Sequence, residues 1–179
     1  PPPPPPPLFQ AESVILDWQY CLVGSEMCIR DSLDTLGDDS LSNRLKESIK
    51  ASRDILEDVQ VEHTRLFING VPHVAAPPYG SVYIDKTIRG QYSDNILNYY
   101  NTSGYSLKEG ADLPDSLIHQ LEFLSFLAKD QNHEREKEFL SQYFLPWFTT
   151  FATRVKEEAE HPFYQIIISL IDFFTKEEE

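Results

Sequence analysis

The sequence is poor in cysteine and glycine, and it lacks the short motifs of several large enzyme classes. Its two cysteines, Cys21 and Cys28, have neither a CxxC spacing nor the spacing of zinc ligands, and two cysteines make no disulfide framework. Seven glycines leave little material for loops that cradle phosphate. No GxSxG, GxxxxGK[ST] or GxGxxG pattern occurs. These absences speak against a nucleophile-elbow hydrolase, a P-loop enzyme and a dinucleotide-binding enzyme.

A metal centre is not predicted either. His119 and Glu122 lie one helical turn apart but lack the second histidine of an HExxH site, so a polar helix face is the simpler interpretation. The other four histidines are scattered without ligand spacing. We therefore expect no metal, no cofactor and no catalytic residues.

Long hydrophobic runs are also missing. The best one, residues 166–174, is interrupted by Ser169 and Asp172 and falls short of the ~20 residues that cross a bilayer. The chain begins with polyproline and shows no basic region of a secretory signal. The sequence thus predicts a cytoplasmic protein without stable membrane insertion.

The charge is strongly of one sign, with 15 Lys and Arg against 29 Asp and Glu and a formal net charge of -14. Such a surface repels phosphate, so nucleic acid is excluded as a partner. It attracts basic ligands, for example a peptide with paired arginines, although many acidic surfaces serve only solubility. A hydrophobic content of 41% is enough for a substantial core.

Residues 1–32 differ from the rest of the chain. Seven prolines open the segment and are incompatible with helix or sheet. The stretch from Cys21 to Ser32 resembles a translated sequencing adapter. We interpret residues 1–32 as non-native or disordered, and residues 33–179 as one helical domain.

From Ser40 onward the hydrophobic pattern is helical, and the predicted class is an all-α, compact multi-helix bundle. Helices are predicted from about Ser40 to Asn69-Gly70, over 93–103, from Pro114-Asp115, after the cap Asn132 with a break near Pro146, and from His161-Pro162. The last is apolar nearly all round, which predicts a central position in the bundle with Trp147 packed against it. Residues 81–85 are predicted to be extended.

A proline-rich aromatic loop, residues 71–80, stands between the first two helices. Tyrosine offers contact area at low entropic cost and often anchors peptides, but Tyr79 and Tyr83 could equally hold the loop on the helices.

At this loop the sequence resembles the TorD/DmsD family of redox-enzyme maturation chaperones, and the DmsD branch most. The resemblance covers roughly residues 40–175 and depends on the joint order of several blocks. In chain order these are Arg65-Leu66-Phe67, Pro77-Pro78-Tyr79-Gly80-Ser81-Val82-Tyr83 followed by Asp85, Pro114-Asp115, Leu121-Glu122-Phe123-Leu124, Leu145-Pro146-Trp147 and Glu160-His161-Pro162-Phe163-Tyr164. The family's first helix would lie upstream of residue 33 and is expected to be missing here.

The resemblance implies a cytoplasmic chaperone and not an enzyme. Its partners would be the twin-arginine signal peptide and the apo-form of a molybdopterin oxidoreductase catalytic subunit, held back from Tat export until the cofactor is inserted. Carried over by position, the residues expected to bind the signal peptide are Leu66, Phe67, Pro78, Tyr79, Gly80, Ser81, Tyr83, Asp115 and Ser116. In this expectation Asp115 accepts a bidentate bond from an arginine.

Two departures from the family pattern leave the client open. Ser116 stands where the family usually has histidine, and the aromatic loop carries Tyr79 and Tyr83 where DmsD-like proteins often have tryptophan. A general helical interaction domain without signal-peptide specificity is the main alternative. An enzyme such as a nucleotide hydrolase is the other, and the missing phosphate loop counts against it.

Overall fold

The computed structural model describes residues 43–44, 46–47, 56–71 and 73–175. The chain divides into two compact units, residues 1–47 and 48–179. In the first unit, Asn43, Arg44, Lys46 and Glu47 are helical and exposed. The prediction that residues 1–32 are non-native lies outside the described residues, as does most of the first half of the predicted long helix.

The second unit is helical, which confirms the predicted class. Two of its helices are joined to short π-helical turns, which have wider hydrogen-bonded rings than an α-helix. The elements are α1 (Leu56–His63) with a π-turn (Thr64–Ile68), α2 (Gly80–Ile84), α3 (Gln91–Thr102), α4 (Leu117–Lys129), α5 (His133–Phe139) with a π-turn (Leu140–Phe144), α6 (Leu145–Glu158) and α7 (Pro162–Thr175).

The helix ends follow the capping residues in the sequence. The side chain of Asn132 accepts a hydrogen bond from the amide of Arg135, which confirms the predicted cap of α5. Ser116 caps α4 in the same way, so this helix begins just after the predicted Pro-Asp start. Pro146 lies in the first turn of α6, directly after the second π-turn, where its missing N–H is tolerated.

The prediction that residues 81–85 are extended is wrong. Residues 81–84 form most of the short helix α2 and Asp85 is its C-cap, while the extended conformation ends at Tyr79 (φ -129°, ψ 126°). The amide of Ser81 donates to the Asp115 carboxylate at 2.7 Å, which satisfies a free N–H of the first helical turn. A contact from a distant part of the chain thus overrides the β-propensity of Val82 and Tyr83.

The core is rich in aromatic side chains. Trp147 is completely buried, as predicted, and its aromatic neighbours are Tyr83, Phe144, Phe148 and Phe151. Helix α6 packs on α7 and on α2, while α4 packs on α5.

Helix α7 is not central along its whole length, contrary to the prediction. Its Tyr164 and Ile168 join the core, whereas Phe173 and Phe174 are 38% and 49% exposed. No helix in the described part of the chain has the length and apolar character needed to span a membrane.

Candidate functional site

The family blocks of the proline-rich loop and of the α4 start meet in a short antiparallel bridge between Tyr79 and Ser116. The amide of Gly80 donates to the carbonyl of Asp115 at 3.0 Å, and a second backbone bond of 2.9 Å closes the other side of the bridge. Two segments far apart in sequence are therefore held in fixed register. We name these paired segments, residues 78–81 and 115–117, the motif joint.

Asp115 is the centre of the motif joint. Its side chain is completely buried, and its Oδ2 accepts the Ser81 amide at 2.7 Å. Its backbone carbonyl also accepts from Nε2 of Gln120 at 2.8 Å, and Oε1 of Gln120 accepts from the indole of Trp147 at 3.1 Å. The loop, α4 and α6 are thereby connected through one buried polar network.

This network is not saturated. Three buried polar atoms of the joint and the adjoining turn of α2 have no hydrogen-bond partner: Oδ1 of Asp115, Oγ of Ser81 and the hydroxyl of Tyr83. The other such atoms in the described residues belong to His63 and His119. Because a buried polar group without a partner costs roughly 1–3 kcal/mol, a cluster of them marks a place where a ligand or water belongs.

Gly80 is required by close packing and not by its backbone angles. A Cβ at this position would lie 2.4 Å from Cε1 of Tyr92 and 3.2 Å from the ring of Trp147. The hydroxyl of Tyr92 donates to the carbonyl of Tyr143, which fixes that ring against the joint. The glycine of the family block therefore allows the loop to approach the core.

The outer rim of the joint is formed by Tyr79 and Asp112. Tyr79 is partly exposed and donates its hydroxyl to Oδ2 of Asp112 at 2.8 Å. Burial, followed by the nearby Asp112 carboxylate, raises the pKa of Tyr79 to about 12, so its hydroxyl stays protonated. Sequence reasoning missed Asp112, although an acidic residue three positions before Asp115 on the same loop was a usable signal.

The Arg65-Leu66-Phe67 block connects the joint to the end of α6. The buried Leu66 accepts the amide of Ala76 through its carbonyl at 2.9 Å, which ties down the start of the loop. The ring of Phe67 lies 6.1 Å from that of Phe151 and 5.5 Å from that of Tyr164. This block therefore connects the start of the proline-rich loop to the rings of α6 and α7.

A partly buried ion pair joins the same block to the α6–α7 connection. Glu62 accepts two bonds from Arg65, at 2.8 and 3.0 Å, and a third from the Glu160 amide at 2.7 Å. The hydrogen bond from Arg65 outweighs burial and holds the pKa of Glu62 below its usual value. These bonds of Glu62 to Arg65 and to the Glu160 amide hold α1 against the segment that precedes α7.

The structure brings the nine sequence-predicted residues into one connected region, but most of them are not on the surface. Six are buried: Leu66, Gly80, Ser81, Tyr83, Asp115 and Ser116. Three are partly exposed: Phe67, Pro78 and Tyr79. In this conformation Asp115 presents no free face to a ligand, so its contact with an arginine stays a prediction that requires the joint to open.

No group of metal-ligating side chains occurs among the described residues. His119 and Glu122 form a local pair, with Nδ1 and Oε2 3.0 Å apart, and Glu122 also accepts from the hydroxyl of Tyr105. The amide of His119 donates to Oγ of Ser116, so this pair lies one helical turn after the joint. Chemically, the joint can accept and donate hydrogen bonds and cover apolar side chains.

Most of the chain matches a known protein family. Residues 34–153 match the nitrate reductase delta subunit family. The chain belongs to this family. Its members include the TorD and DmsD chaperones, so the resemblance found in the sequence is confirmed.

Individual relatives agree with this assignment. The chain is similar to the Tat proofreading chaperone DmsD of Salmonella typhimurium, with 27% identity over 106 residues, 58% of this chain and 52% of DmsD. It is 29% identical to the chaperone protein YcdY of Escherichia coli over 139 residues, which are 75% of this chain and 68% of YcdY. The chain spans about half the length of the DmsD relatives that it matches.

A solved structure shows the same fold. A protein assigned to redox enzyme maturation, from Archaeoglobus fulgidus, superposes with a TM-score of 0.56 at 29% identity. The match covers 74% of this chain and 83% of that one. The fold prediction of a TorD/DmsD-like helical bundle is therefore confirmed.

Proposed function

We propose that the chain is a cytoplasmic chaperone without enzymatic activity. It binds the twin-arginine signal peptide of a molybdopterin oxidoreductase subunit and assists cofactor insertion and folding before Tat export. Family membership supports this proposal, because the relatives are named as chaperones and as a maturation protein. The net charge of -14 supports a basic peptide as the ligand.

The observation that carries the proposal is the unsaturated network of the motif joint. Asp115 Oδ1 and Ser81 Oγ are acceptors without donors, and the exposed Asp112 carboxylate lies at the rim. An arginine side chain brings five N–H donors in a planar fork and is therefore suited to two acceptors at once. Two carboxylates at one site match a ligand that carries two arginines.

The two carboxylates differ in access, which suggests an order of binding. Asp112 is exposed and can pair with the first arginine without rearrangement. Asp115 is buried, so the second arginine reaches Oδ1 only when the Tyr79 side of the joint lifts. Oδ2 can keep its bond to the Ser81 amide throughout, because the two oxygens of the carboxylate bind separately.

The apolar stretch of the signal peptide then needs a partly exposed, non-polar surface. Phe67, Pro78 and Tyr79 provide it next to the joint. These side chains are stiff or packed, so they lose little entropy when they are covered. The apolar contacts are insensitive to salt, whereas the contact at Asp112 is screened.

Calorimetry with a twin-arginine signal peptide tests the proposal. Changing both peptide arginines to lysine retains the charge but removes the planar fork, and we expect clearly weaker binding. Asp115→Asn should weaken binding by roughly 1.5–3 kcal/mol, the contribution of a hydrogen bond to a charged group. Asp112→Asn should have a smaller effect that disappears at high salt.

Asp130→Asn is the matched control, because Asp130 is exposed and follows the opposite end of α4, about 20 Å away at 1.5 Å per residue. It should bind like the unmodified protein. If the lysine peptide bound equally well, the fork argument would be wrong. If no twin-arginine peptide bound, the chain would be better described as a general helical interaction domain.

A further inference from the structure

Two tyrosine rings of the molecule each lie beneath an arginine. The guanidinium carbon of Arg135 is 5.7 Å from the centre of the Tyr99 ring, and that of Arg154 is 5.1 Å from the centre of the Tyr83 ring. Both distances are typical of cation–π contacts. The molecule therefore contains two arginine–tyrosine pairs of this kind, and their surroundings can be compared.

The pair at Tyr99 is complete. The hydroxyl of Tyr99 donates to Oε2 of Glu138 at 2.8 Å, and the guanidinium of Arg135 donates to Oγ of Ser103. A carboxylate of the chain itself therefore accepts a hydrogen bond from the tyrosine hydroxyl beside the cation.

Among the described residues, the pair of Tyr83 and Arg154 has no carboxylate that corresponds to Glu138. Tyr83 is only 6% exposed, yet its hydroxyl has no hydrogen-bond partner. Arg154 is exposed and, in the part of the chain that the structure describes, forms no ion pair with a carboxylate, so its polar neighbour is the Tyr83 side chain itself. Glu157 and Glu158 lie one turn further along α6 and do not pair with it.

We propose that Tyr83 and Arg154 form a binding site for a carboxylate of a partner polypeptide. One carboxylate oxygen accepts a hydrogen bond from the Tyr83 hydroxyl, and the other accepts one from the guanidinium of Arg154. Arg154 has an exposed, flexible side chain, so it rotates towards the incoming group and uncovers the hydroxyl.

The protonation state fits this role. Burial raises the pKa of Tyr83 to about 12, against the lowering effect of Arg154, so the hydroxyl remains a donor at neutral pH. A carboxylate is preferred to phosphate because a chain with a net charge of -14 repels a dianion more strongly.

The position of the site indicates the kind of partner. Tyr83 belongs to the same short helix as Ser81, so a polypeptide bound with its basic groups at the motif joint would lie near this site, and an acidic group of that polypeptide would bind here. This choice of partner rests on the proposed function. The carboxylate site itself does not, since it follows from the comparison with Tyr99.

NMR of the arginine Nε–H signals tests the site with acetate as the probe, and Arg154→Lys assigns the signal. We expect acetate to shift the Arg154 signal, and Tyr83→Phe to weaken acetate binding about tenfold, as for the loss of one hydrogen bond to a charged group. Tyr99→Phe is the matched control and should leave the acetate affinity unchanged. Both variants keep the ring, and their amide spectra report whether the fold is intact.

Two further probes identify the ligand class. The blocked tripeptide Gly-Glu-Gly should shift the Arg154 signal as acetate does, whereas Gly-Gln-Gly should not. The proposal is overturned if acetate leaves the signal in place, if Tyr83→Phe binds acetate as tightly as the unmodified protein, or if inorganic phosphate binds more tightly than acetate. Failure of a twin-arginine peptide to bind would leave these results unaffected.

Discussion

Two regions of the molecule are built from similar side chains but differ in whether their polar atoms have hydrogen-bond partners. One is an aromatic cluster of α3, α4 and α5, in which ring centres lie 4.6 to 6.2 Å apart. The other is the motif joint with the adjoining turn of α2. The cluster consists of Tyr99, Tyr100, Tyr105, Phe123, Phe126, Phe139 and Tyr143.

In the aromatic cluster, the hydroxyls of Tyr99, Tyr100 and Tyr105 find partners within the chain. Tyr99 donates to Glu138, Tyr100 to the carbonyl of Pro114 at 2.9 Å, and Tyr105 to Glu122 at 3.3 Å. In the joint, Asp115, Ser81 and Tyr83 each keep an unpaired buried atom. The proposed function accounts for this difference: the cluster would serve stability alone, whereas the joint would keep polar atoms for a partner.

The largest expected effect is on the cluster. Phe123 is completely buried and contacts four other rings of the cluster at less than 6 Å, so Phe123→Ala should reduce the free energy of unfolding by about 3–5 kcal/mol. Urea unfolding measures this change. At temperatures where the variant is folded, its affinity for a twin-arginine peptide should be unchanged, and a parallel loss of affinity would remove the distinction between the two regions.

Gly80→Ala should have the next largest effect. The added methyl group meets Tyr92 and Trp147, which are both buried, so we expect a loss of about 1–3 kcal/mol from overpacking. In contrast to Phe123→Ala, this variant should also bind the peptide less tightly, because the loop is displaced. Gly104→Ala offers no matched control, since Gly104 has a φ of +76°, but Ser106→Ala on an exposed loop does.

A pair of hydroxyl deletions separates the two regions most cleanly. Tyr100→Phe leaves the carbonyl of Pro114 without its partner and should cost about 1 kcal/mol. Tyr83→Phe removes a hydroxyl that has no partner, and it should leave the free energy of unfolding unchanged or raise it. Thermal unfolding of both variants decides the point. Equal losses would mean that the Tyr83 hydroxyl is satisfied in solution.

The smallest expected effect is on the free energy of unfolding at acidic pH. Because the pKa of Glu62 is lowered in the folded state, chiefly by its bond to Arg65, Glu62 stabilises the fold above its ordinary pKa of 4.5. That contribution is lost as the pH falls through the folded-state pKa. Urea unfolding between pH 6 and about pH 3 should therefore show a steeper loss for the unmodified protein than for Glu62→Gln. An identical pH dependence of the two proteins would mean that the bonds of Glu62 to Arg65 and to the Glu160 amide do not stabilise the fold.

The sequence predicted those features that depend on local chemistry or on the family blocks. The all-α class, the Asn132 cap and the Pro162 start follow from helix periodicity and capping rules. The region that contains the nine candidate residues followed from the resemblance. These signals are short-range, or are carried by motifs in a fixed order.

Features that depend on contacts between distant segments could not be read from the sequence. Helix α2 exists because Asp115 receives the Ser81 amide, and local β-propensity indicated the opposite. The burial of Asp115, the rim residue Asp112 and the pairing of Tyr83 with Arg154 depend in the same way on how loops and helices meet. Residue type alone does not distinguish a buried support from a ligand contact.

Hydrogen exchange with and without a twin-arginine signal peptide tests most directly whether the motif joint is the binding site. We expect the peptide to slow exchange of the amides in residues 78–84 and 112–117, because they are covered or held more firmly. Amides of α3 and α5, which carry the aromatic cluster, should exchange at unchanged rates. If protection appeared in the cluster and not in the joint, the proposal that the motif joint binds the peptide would be contradicted.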